Sequence, residues 1–195
     1  MTAAIAIVYH SGYGHTAKQA QAVAEGARRV AGAKVDLIGV EDLGDDAPAW
    51  ATLDAADAII FGAPTYMGGA SAPFKAFQDA TSKRWMSQAW KNKLAAGFTN
   101  SGSHSGDKLN TLVGFVILAA QHGMHWLSLG LMPGNNSSQG SPEDLNRIGA
   151  YLGAMAQSNI DAGADLAPPK ADLETAAHLG ERVAKAAIRW RAGKN

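Results

Sequence analysis

A continuous apolar segment near residue 1 places the strongest constraint on the fold of this chain. Residues 3–9 (AAIAIVY) are apolar at successive positions rather than at every second one. This pattern is typical of a strand in a parallel sheet that helices cover on both faces. Residues 11–16 (SGYGHT) follow as a glycine-rich turn, and residues 17–30 have the pattern of a helix. The segment therefore predicts a strand–loop–helix unit.

The rest of the sequence continues this alternation of strands and helices. The predicted strands are residues 3–9, 35–40, 57–62, 94–99 and 125–129. The predicted helices are residues 17–30, 74–81, 109–121 and 172–191, and Ser141-Pro142-Glu143-Asp144 is typical of a further helix start. Residues 130–141 and 158–169 are loops long enough to take part in function. Alternation of this kind predicts an α/β fold with a doubly wound parallel sheet, in a single domain over residues 1–195.

Composition excludes several classes of function. Lys plus Arg and Asp plus Glu both number 17, so the formal net charge is zero, whereas nucleic acids and anionic membranes require a basic face. The chain has no cysteine, which excludes disulfides and thiolate metal sites and fits a cytoplasmic location. The histidines have no spacing that suggests a metal site. The longest apolar run is about nine residues, against the roughly 20 that a membrane span needs, and residues 1–9 lack the basic start of a signal peptide.

Three glycine- and hydroxyl-rich loops follow predicted strands. They consist of Ser11, Gly12, Tyr13, Gly14, His15 and Thr16; of Pro64, Thr65, Tyr66, Met67, Gly68 and Gly69; and of Asn100, Ser101, Gly102, Ser103, His104, Ser105 and Gly106. Because the carboxyl ends of parallel strands border one crevice, we expect these loops to meet there. The first loop would surround a phosphate monoester with hydroxyls and with backbone N–H groups at a helix N-terminus. The other two would border a flat ring such as a flavin, whose reduction N–H donors favour.

Other interpretations of the same residues stay open at this point. Gly12, Gly14 and Ala17 also satisfy the G-x-G-x-x-A pattern of a dinucleotide-binding turn, which would be typical of a reductase that binds only a nicotinamide nucleotide. His122, directly before Gly123, could be a structural imidazole at a helix C-terminus. A phosphoacceptor receiver domain is excluded, because residues 61–64 (FGAP) lack the acceptor aspartate at the end of the third strand.

These motifs resemble those of the flavodoxin-like WrbA-type NAD(P)H:quinone oxidoreductases. Residues 9–16 (YHSGYGHT) resemble the FMN-phosphate loop of that family, residues 59–68 (IIFGAPTYMG) its isoalloxazine loop and residues 100–105 its third loop. Residues 121–124 (QHGM) resemble the segment whose histidine approaches the flavin ring. Tyr66 departs from the arginine that is usual in the family, and His104 and Asp107 interrupt a loop that is otherwise mostly Ser, Thr and Gly.

The resemblance implies a fold, an assembly and roles for individual residues. The implied fold is a five-stranded flavodoxin-like sheet of order 2-1-3-4-5 with FMN at its switch point, and the implied assembly is a homodimer or homotetramer. Tyr13 would contact the nicotinamide nucleotide. Trp85 would correspond to an active-site tryptophan that a neighbouring subunit can contribute. His122 would be the catalytic residue, as a stabiliser of the reduced flavin or a proton relay to the quinone.

Residues and resemblance together predict a cytoplasmic FMN-dependent oxidoreductase. It would transfer hydride from NADH or NADPH through FMN to a quinone, in a two-electron, ping-pong reaction, with the three loops and His122 as the flavin-binding residues. The alternatives are a flavodoxin-type electron carrier, an NAD(P)H-dependent FMN or azo reductase, and a protein that kept the fold without flavin. Electron carriers dock through strongly acidic faces, so a net charge of zero argues against the first alternative.

Overall fold

The computed structural model describes residues 1–44 and 47–193 of the chain. Its elements, in chain order, are β1 (Ala3–Tyr9), α1 (His15–Arg28), β2 (Ala33–Gly39), a 3-10 turn (Val40–Asp42), α2 (Ala49–Ala55), β3 (Ala58–Tyr66), β4 (Gly69–Ala70), α3 (Ala72–Ala80), α4 (Ser82–Met86), β5 (Leu94–Ser101), α5 (Lys108–Gln121), β6 (His125–Trp126), β7 (Ala154–Gln157) and α6 (Lys170–Ala192). The four predicted helices correspond to α1, α3, α5 and α6, with ends shifted by two residues or fewer. The first four predicted strands correspond to β1, β2, β3 and β5.

The strands form one mainly parallel sheet of order β2-β1-β3-β5-β6. In addition, β4 pairs antiparallel with the end of β3, and β7 pairs parallel with β5. The predicted α/β fold with a doubly wound sheet is confirmed. The predicted order 2-1-3-4-5 is close to the observed order but not identical, because the short β4 follows β3 in the chain and because the last position of the sheet is divided between two strands.

The predicted fifth strand, residues 125–129, is wrong beyond its first two residues. β6 pairs only with Leu94 and Ala95 at the start of β5, and β7 pairs with Phe98 to Ser101 at its end. The chain leaves the sheet after β6 and returns about 27 residues later, where a Cβ on Gly153 would lie 2.1 Å from the Gly97 carbonyl oxygen. This close approach of two backbones allows β7 to pair with the end of β5, and the pairing brings residues 158–163 to the carboxyl edge of the sheet.

The predicted helix start at Ser141 is also wrong, since residues 142–148 form turns. The capping residues do form local hydrogen bonds: the Ser141 N–H donates to Asp144 Oδ2 at 2.7 Å, and the Glu143 N–H donates to Ser141 Oγ at 3.1 Å. Asn146 then has a positive φ of 52°, and its N–H donates to Thr175 Oγ1 at 2.8 Å. A hydrogen bond to α6 therefore takes the place of the next helical turn.

Two apolar layers explain why the strands lack alternation. On β1, Ile5 and Ile7 pack against one face of the sheet, with α1 and α6, while Ala6 and Val8 pack against the other, with α2, α3 and α5. Each strand is thus covered on both sides, as the sequence predicts. Within the described ranges, no helix has the length and apolar character that a membrane span requires.

Candidate functional site

A cavity of about 710 Å³ lies at the carboxyl edge of the sheet. It is lined by Tyr13, His15, Thr16, Pro64, Thr65, Tyr66, Asn100, Ser101, Gly102, Ser158, Ile160, Asp161, Ala162 and Gly163. The structure thus brings members of all three predicted loops to one place. The other residues of those loops do not line the cavity: Ser11, Gly12, Gly14, Met67, Gly68, Gly69, Ser103, His104, Ser105 and Gly106.

The first loop is shaped as an anion cradle at the N-terminus of α1. Ser11 Oγ accepts hydrogen bonds from the N–H groups of Gly14 and Ala17, each at 3.1 Å, and so fixes the turn rather than facing a ligand. Gly14 has φ +88°, and a Cβ there would lie 2.9 Å from Ala164 Cβ. His15 and Thr16 line the cavity in the first helical turn, whose N–H groups have no carbonyl partner within the helix. These N–H groups and the helix dipole suit a phosphate.

The second loop contributes a tyrosine that bridges to the first. A Cβ on Gly12 would lie 2.5 Å from Tyr66 Oη, so the Tyr66 ring packs directly on the first loop. It meets the Tyr13 ring edge-on with 6.3 Å between the ring centroids. Burial and the neighbouring Tyr13 raise the pKa of Tyr66, so its hydroxyl stays protonated and neutral. Tyr66 therefore supplies an aromatic wall and a neutral donor.

Buried hydroxyls hold the end of β3 against its neighbours. Thr65 Oγ1 lies 2.8 Å from both Thr99 Oγ1 and Thr111 Oγ1. The Gly68 carbonyl accepts a hydrogen bond from Asn110 Nδ2 at 2.7 Å, while the Met67 side chain is fully exposed and has a positive φ of 48°. The second loop is thus fixed at both ends, and its tip projects from the edge of the sheet.

The third loop divides between two cavities. Asn100, Ser101 and Gly102 line the main one, whereas His104 and Ser105 line a second cavity of about 730 Å³ beside α5. The predicted contact of His104 and Ser105 with a flavin in the main cavity is therefore not supported by their positions. The loop divides because Gly106 and Asp107, with φ values of 53° and 54°, turn the chain back on itself.

A fourth loop, which contains residues 158–163, completes the cavity. In the sequence this loop is marked only by its length. His15 Nε2 lies 2.8 Å from the Ala162 carbonyl oxygen, and Ser158 Oγ donates to Asn100 Oδ1 at 3.0 Å. A Cβ on Gly102 would lie 2.6 Å from Ile160 Cγ2. The loop therefore contacts both the first and the third loop. No local motif marks it, because β7 alone carries it to the site.

His122 and Trp85 lie away from this cavity. His122 ends α5 shortly before His125, which pairs with the first residue of β5, and a helix of 14 residues is about 21 Å long. His122 therefore sits at the amino edge of the sheet, where it shares a cavity of about 250 Å³ with Trp85. The prediction that His122 lies near the flavin is thus not met within a single chain.

The surroundings of His122 define its tautomer. Thr81 Oγ1 donates to the Gln78 carbonyl at 2.7 Å, so it accepts the hydrogen bond from His122 Nε2 at 2.9 Å. Nδ1 is then an unprotonated, buried acceptor with no partner among the residues that the structure describes. Burial lowers the pKa of His122, and its ring packs against Trp90 with 4.7 Å between the centroids. His122 is therefore neutral at pH 7.

Comparison with known proteins places the chain in a family. Residues 7–133 match the family of NADPH-dependent FMN reductases. The chain belongs to this family. It is 47% identical over 180 residues to the flavodoxin FldP of Pseudomonas aeruginosa (strain UCBPP-PA14), covering 92% of this chain and 94% of that protein. It is 34% identical over 203 residues to an NAD(P)H dehydrogenase (quinone) of Paraburkholderia phymatum, covering 96% and 98%.

A solved structure has a similar fold. The crystal structure of a flavodoxin, WrbA-like protein from Agrobacterium tumefaciens superimposes with a TM-score of 0.75 at 46% identity, covering 96% of this chain and 99% of that one. The predicted resemblance to flavodoxin-like quinone oxidoreductases is therefore confirmed. The predicted class of enzyme and its use of FMN and NAD(P)H are also confirmed at the level of the family.

Proposed function

We propose that this chain binds FMN in the 710 Å³ cavity and transfers two electrons from NADH or NADPH to a quinone in the cytoplasm. The observation that carries the proposal is the meeting of an N–H cradle on α1 with two polar strand ends around one cavity. Its volume is within the range of roughly 300–1,000 Å³ of small-molecule sites. When bound, FMN would supply a ring that accepts one hydride from the nucleotide and passes its two electrons on to the quinone.

The donor set of this cavity fits that cofactor. His15 and Thr16 would hold the phosphate through first-turn N–H groups, since no lysine or arginine lines the cavity among the described residues. Thr65, Tyr66, Asn100, Ser101 and Gly102 would border the ring, while Tyr13, which is exposed, lies at the rim where a nicotinamide nucleotide would enter. Nucleotide and quinone would occupy this opening in turn, as a ping-pong reaction requires.

We further propose that the active assembly contains more than one copy of the chain. Within a single chain, Trp85 and His122 do not reach the cavity, so a neighbouring copy would have to bring them to the flavin. An exposed apolar stripe on α5 (Leu109, Val113 and Ile117) at a spacing of four residues supports such an assembly, because it leaves three large side chains in water. Light scattering would measure the mass of the assembly.

A second candidate function is that of a one-electron carrier, which the 47% identity to a flavodoxin favours. The balanced charge of the chain argues against it, since carriers depend on charged docking faces. The two functions differ in their reaction with nicotinamide nucleotides, which only the oxidoreductase would oxidise directly.

Anaerobic absorbance spectroscopy of the FMN-loaded protein tests the proposal. We expect NADH or NADPH to bleach the flavin spectrum within the mixing time and benzoquinone to restore it. Flavin that stays oxidised with both nucleotides would favour the electron carrier. A protein that binds no flavin would contradict both candidates.

Replacing Ser11 with alanine tests the phosphate cradle. The change removes the acceptor of two turn N–H groups, so we expect FMN affinity to fall about tenfold and the apoprotein to lose about 1 kcal/mol of unfolding free energy. Riboflavin has no phosphate, and its affinity should change far less. Fluorescence titration with both flavins measures this, with Ser87→Ala as the control on a remote exposed serine. Equal losses for both flavins would show that the loop does not hold the phosphate.

Replacing His122 with alanine tests its proposed part in the quinone half-reaction. Its unprotonated Nδ1 can accept a proton, so we expect quinone turnover to slow about tenfold or more while FMN stays bound. Stopped-flow reoxidation by benzoquinone measures the step. His125→Ala, on a nearby exposed imidazole, should reoxidise like the wild type. Unchanged turnover in His122→Ala would remove the proton-relay role.

A further inference from the structure

Lys108 is a fully buried cation in the wall behind the flavin cavity. Its side chain is 0% exposed, and Nζ donates to Ser101 Oγ at 2.7 Å and to the Ser103 carbonyl at 2.6 Å. Ser101 Oγ in turn donates to the same Ser103 carbonyl at 3.1 Å. Ser101 itself lines the main cavity. Only one residue therefore separates the ammonium group from whatever occupies that cavity.

The third loop is shaped around this ammonium group. Gly106 has φ +53°, and a Cβ on it would lie 2.2 Å from Ser101 Oγ, so the loop closes tightly over the serine. The backbone N–H of Lys108 donates to the Ser105 carbonyl at 3.2 Å. The buried charge thus organises the segment 101–108 from within.

The position of this charge is energetically unfavourable in the absence of a ligand. Lys108 is the first residue of α5, where the helix dipole disfavours a cation, and both of its hydrogen-bond partners are neutral oxygens. Burial, and to a smaller extent Arg147, lower the pKa of Lys108 to about 8, while Asp172 opposes this shift. Asp172 is itself engaged by Arg147 at 2.7 Å. An unfavourable buried charge beside a binding cavity is typical of a functional group.

We propose that Lys108 is a positioning residue whose ammonium group holds the third loop in shape and stabilises bound FMN more in its reduced form than in its oxidised form. The inference rests on the proposed function. Reduction of the flavin adds negative charge to the ring, and a cation in a region of low dielectric constant interacts with that added charge more strongly than one in water. The protein would thereby raise the midpoint potential of its own cofactor.

Substitutions that separate charge from shape test the proposal. In Lys108→Met, which keeps the length of the side chain but not its charge, we expect reduced FMN to lose about tenfold more affinity than oxidised FMN. A tenfold difference for a two-electron couple lowers the midpoint potential by about 30 mV. Lys108→Arg, which keeps the charge, should restore most of the potential at pH 7. Lys75→Met, on an exposed lysine of α3, should leave it unchanged.

The pH dependence of the potential gives a readout that a merely structural lysine would not change. With a pKa of about 8, Lys108 would be charged at pH 7 whether the flavin is oxidised or reduced, and reduction of the flavin would raise that pKa. Above pH 8, reduction therefore takes up one more proton, and the potential should fall about 30 mV per pH unit more steeply than below. Neither Lys108→Met nor Lys108→Arg should show this change of slope, because methionine has no proton to take up and arginine stays charged.

The outcomes distinguish failure of the inference from failure of the proposed function. If the wild type binds FMN and all the variants share its potential and its slope, the inference is overturned and the proposed function stands. If the wild type binds no FMN by fluorescence titration, both are overturned. If Lys108→Met does not fold, the pH dependence of the midpoint potential in the wild type and in Lys108→Arg decides. Loss of the steeper slope in a folded Lys108→Arg supports the proposal, and persistence of that slope contradicts it.

Discussion

Replacing Asp172 with alanine is expected to lower the free energy of unfolding by about 3–5 kcal/mol, because it leaves a buried arginine without its counter-charge. Arg147 donates to both carboxylate oxygens of Asp172, with Nε–Oδ1 at 2.7 Å and Nη2–Oδ2 at 2.8 Å. The two side chains are only 8% and 2% exposed. The Gln157 N–H also donates to Asp172 Oδ2 at 2.8 Å. The carboxylate thus joins α6 to the long excursion between β6 and β7.

Asp172→Ala should also lower the affinity for FMN, although Asp172 does not line the cavity. Gln157 Nε2 donates to the Gly102 carbonyl at 2.8 Å, and Gly102 lines the cavity. Loss of the carboxylate would free β7 and with it one hydrogen bond to the third loop. We therefore expect the affinity for FMN to fall together with stability in Asp172→Ala.

Urea unfolding of the apoprotein measures the effect on stability, through the midpoint at constant slope. Glu174→Ala, in an exposed pair with Lys170 at 3.4 Å, is the control and should change stability by less than about 1 kcal/mol. The double variant Arg147→Met with Asp172→Leu removes both charges and should recover most of the loss. A loss below 1 kcal/mol in Asp172→Ala would show that the pair is not buried in solution.

The second large effect is expected where α1 and α6 cross. A Cβ on Gly180 would lie 1.9 Å from the Val23 carbonyl oxygen, and a Cβ on Gly26 would lie 1.8 Å from the Ala177 carbonyl oxygen. Both distances are far shorter than any van der Waals contact, and both involve backbone atoms, which cannot move aside as a side chain can. Gly180→Ala or Gly26→Ala must therefore separate the helices, and each should cost about 3 kcal/mol or more.

Gly114 offers a matched control within α5. A Cβ there meets nothing within 4 Å, so Gly114→Ala should stabilise the protein by about 1 kcal/mol through helix propensity alone. All three variants introduce the same methyl group into a helix. If they had equal effects on the urea midpoint, the close crossing of α1 and α6 would be disproved.

The amino-acid sequence determined the layers of the fold and the polar ends of its strands. Residues 3–9 are apolar throughout because helices cover both faces of β1, and that requirement is local and periodic. The turn chemistry of Ser11 and Gly14 is equally local, since a serine three residues before a left-handed glycine accepts hydrogen bonds from the N–H groups of Gly14 and Ala17 without help from distant segments. Hence the place of the cavity could be predicted from single loops.

Tertiary structure alone decided what closes the cavity and what lies apart from it. β7 joins the sheet through the contact of Gly153 with Gly97, over 50 residues apart, and only that pairing brings residues 158–163 to the site. His122 looked like a flavin residue, but α5 runs back along the sheet and carries it to the opposite edge. Such placements depend on where a chain returns after a long excursion, which no local pattern encodes.

The buried charged residues also show the difference between what local sequence predicts and what the tertiary structure decides. Nothing in the local sequence marks Lys108, Arg147 or Asp172 as buried, because each belongs to a residue type that is usually exposed. They are buried because three separate segments, at the start of α5, before β7 and at the start of α6, converge behind the third loop. Local patterns predicted three strands and the three loops after them that border the cavity, but not the fourth loop, residues 158–163. The convergence of distant segments decided which charges lie behind it, because burial depends on the whole packed fold.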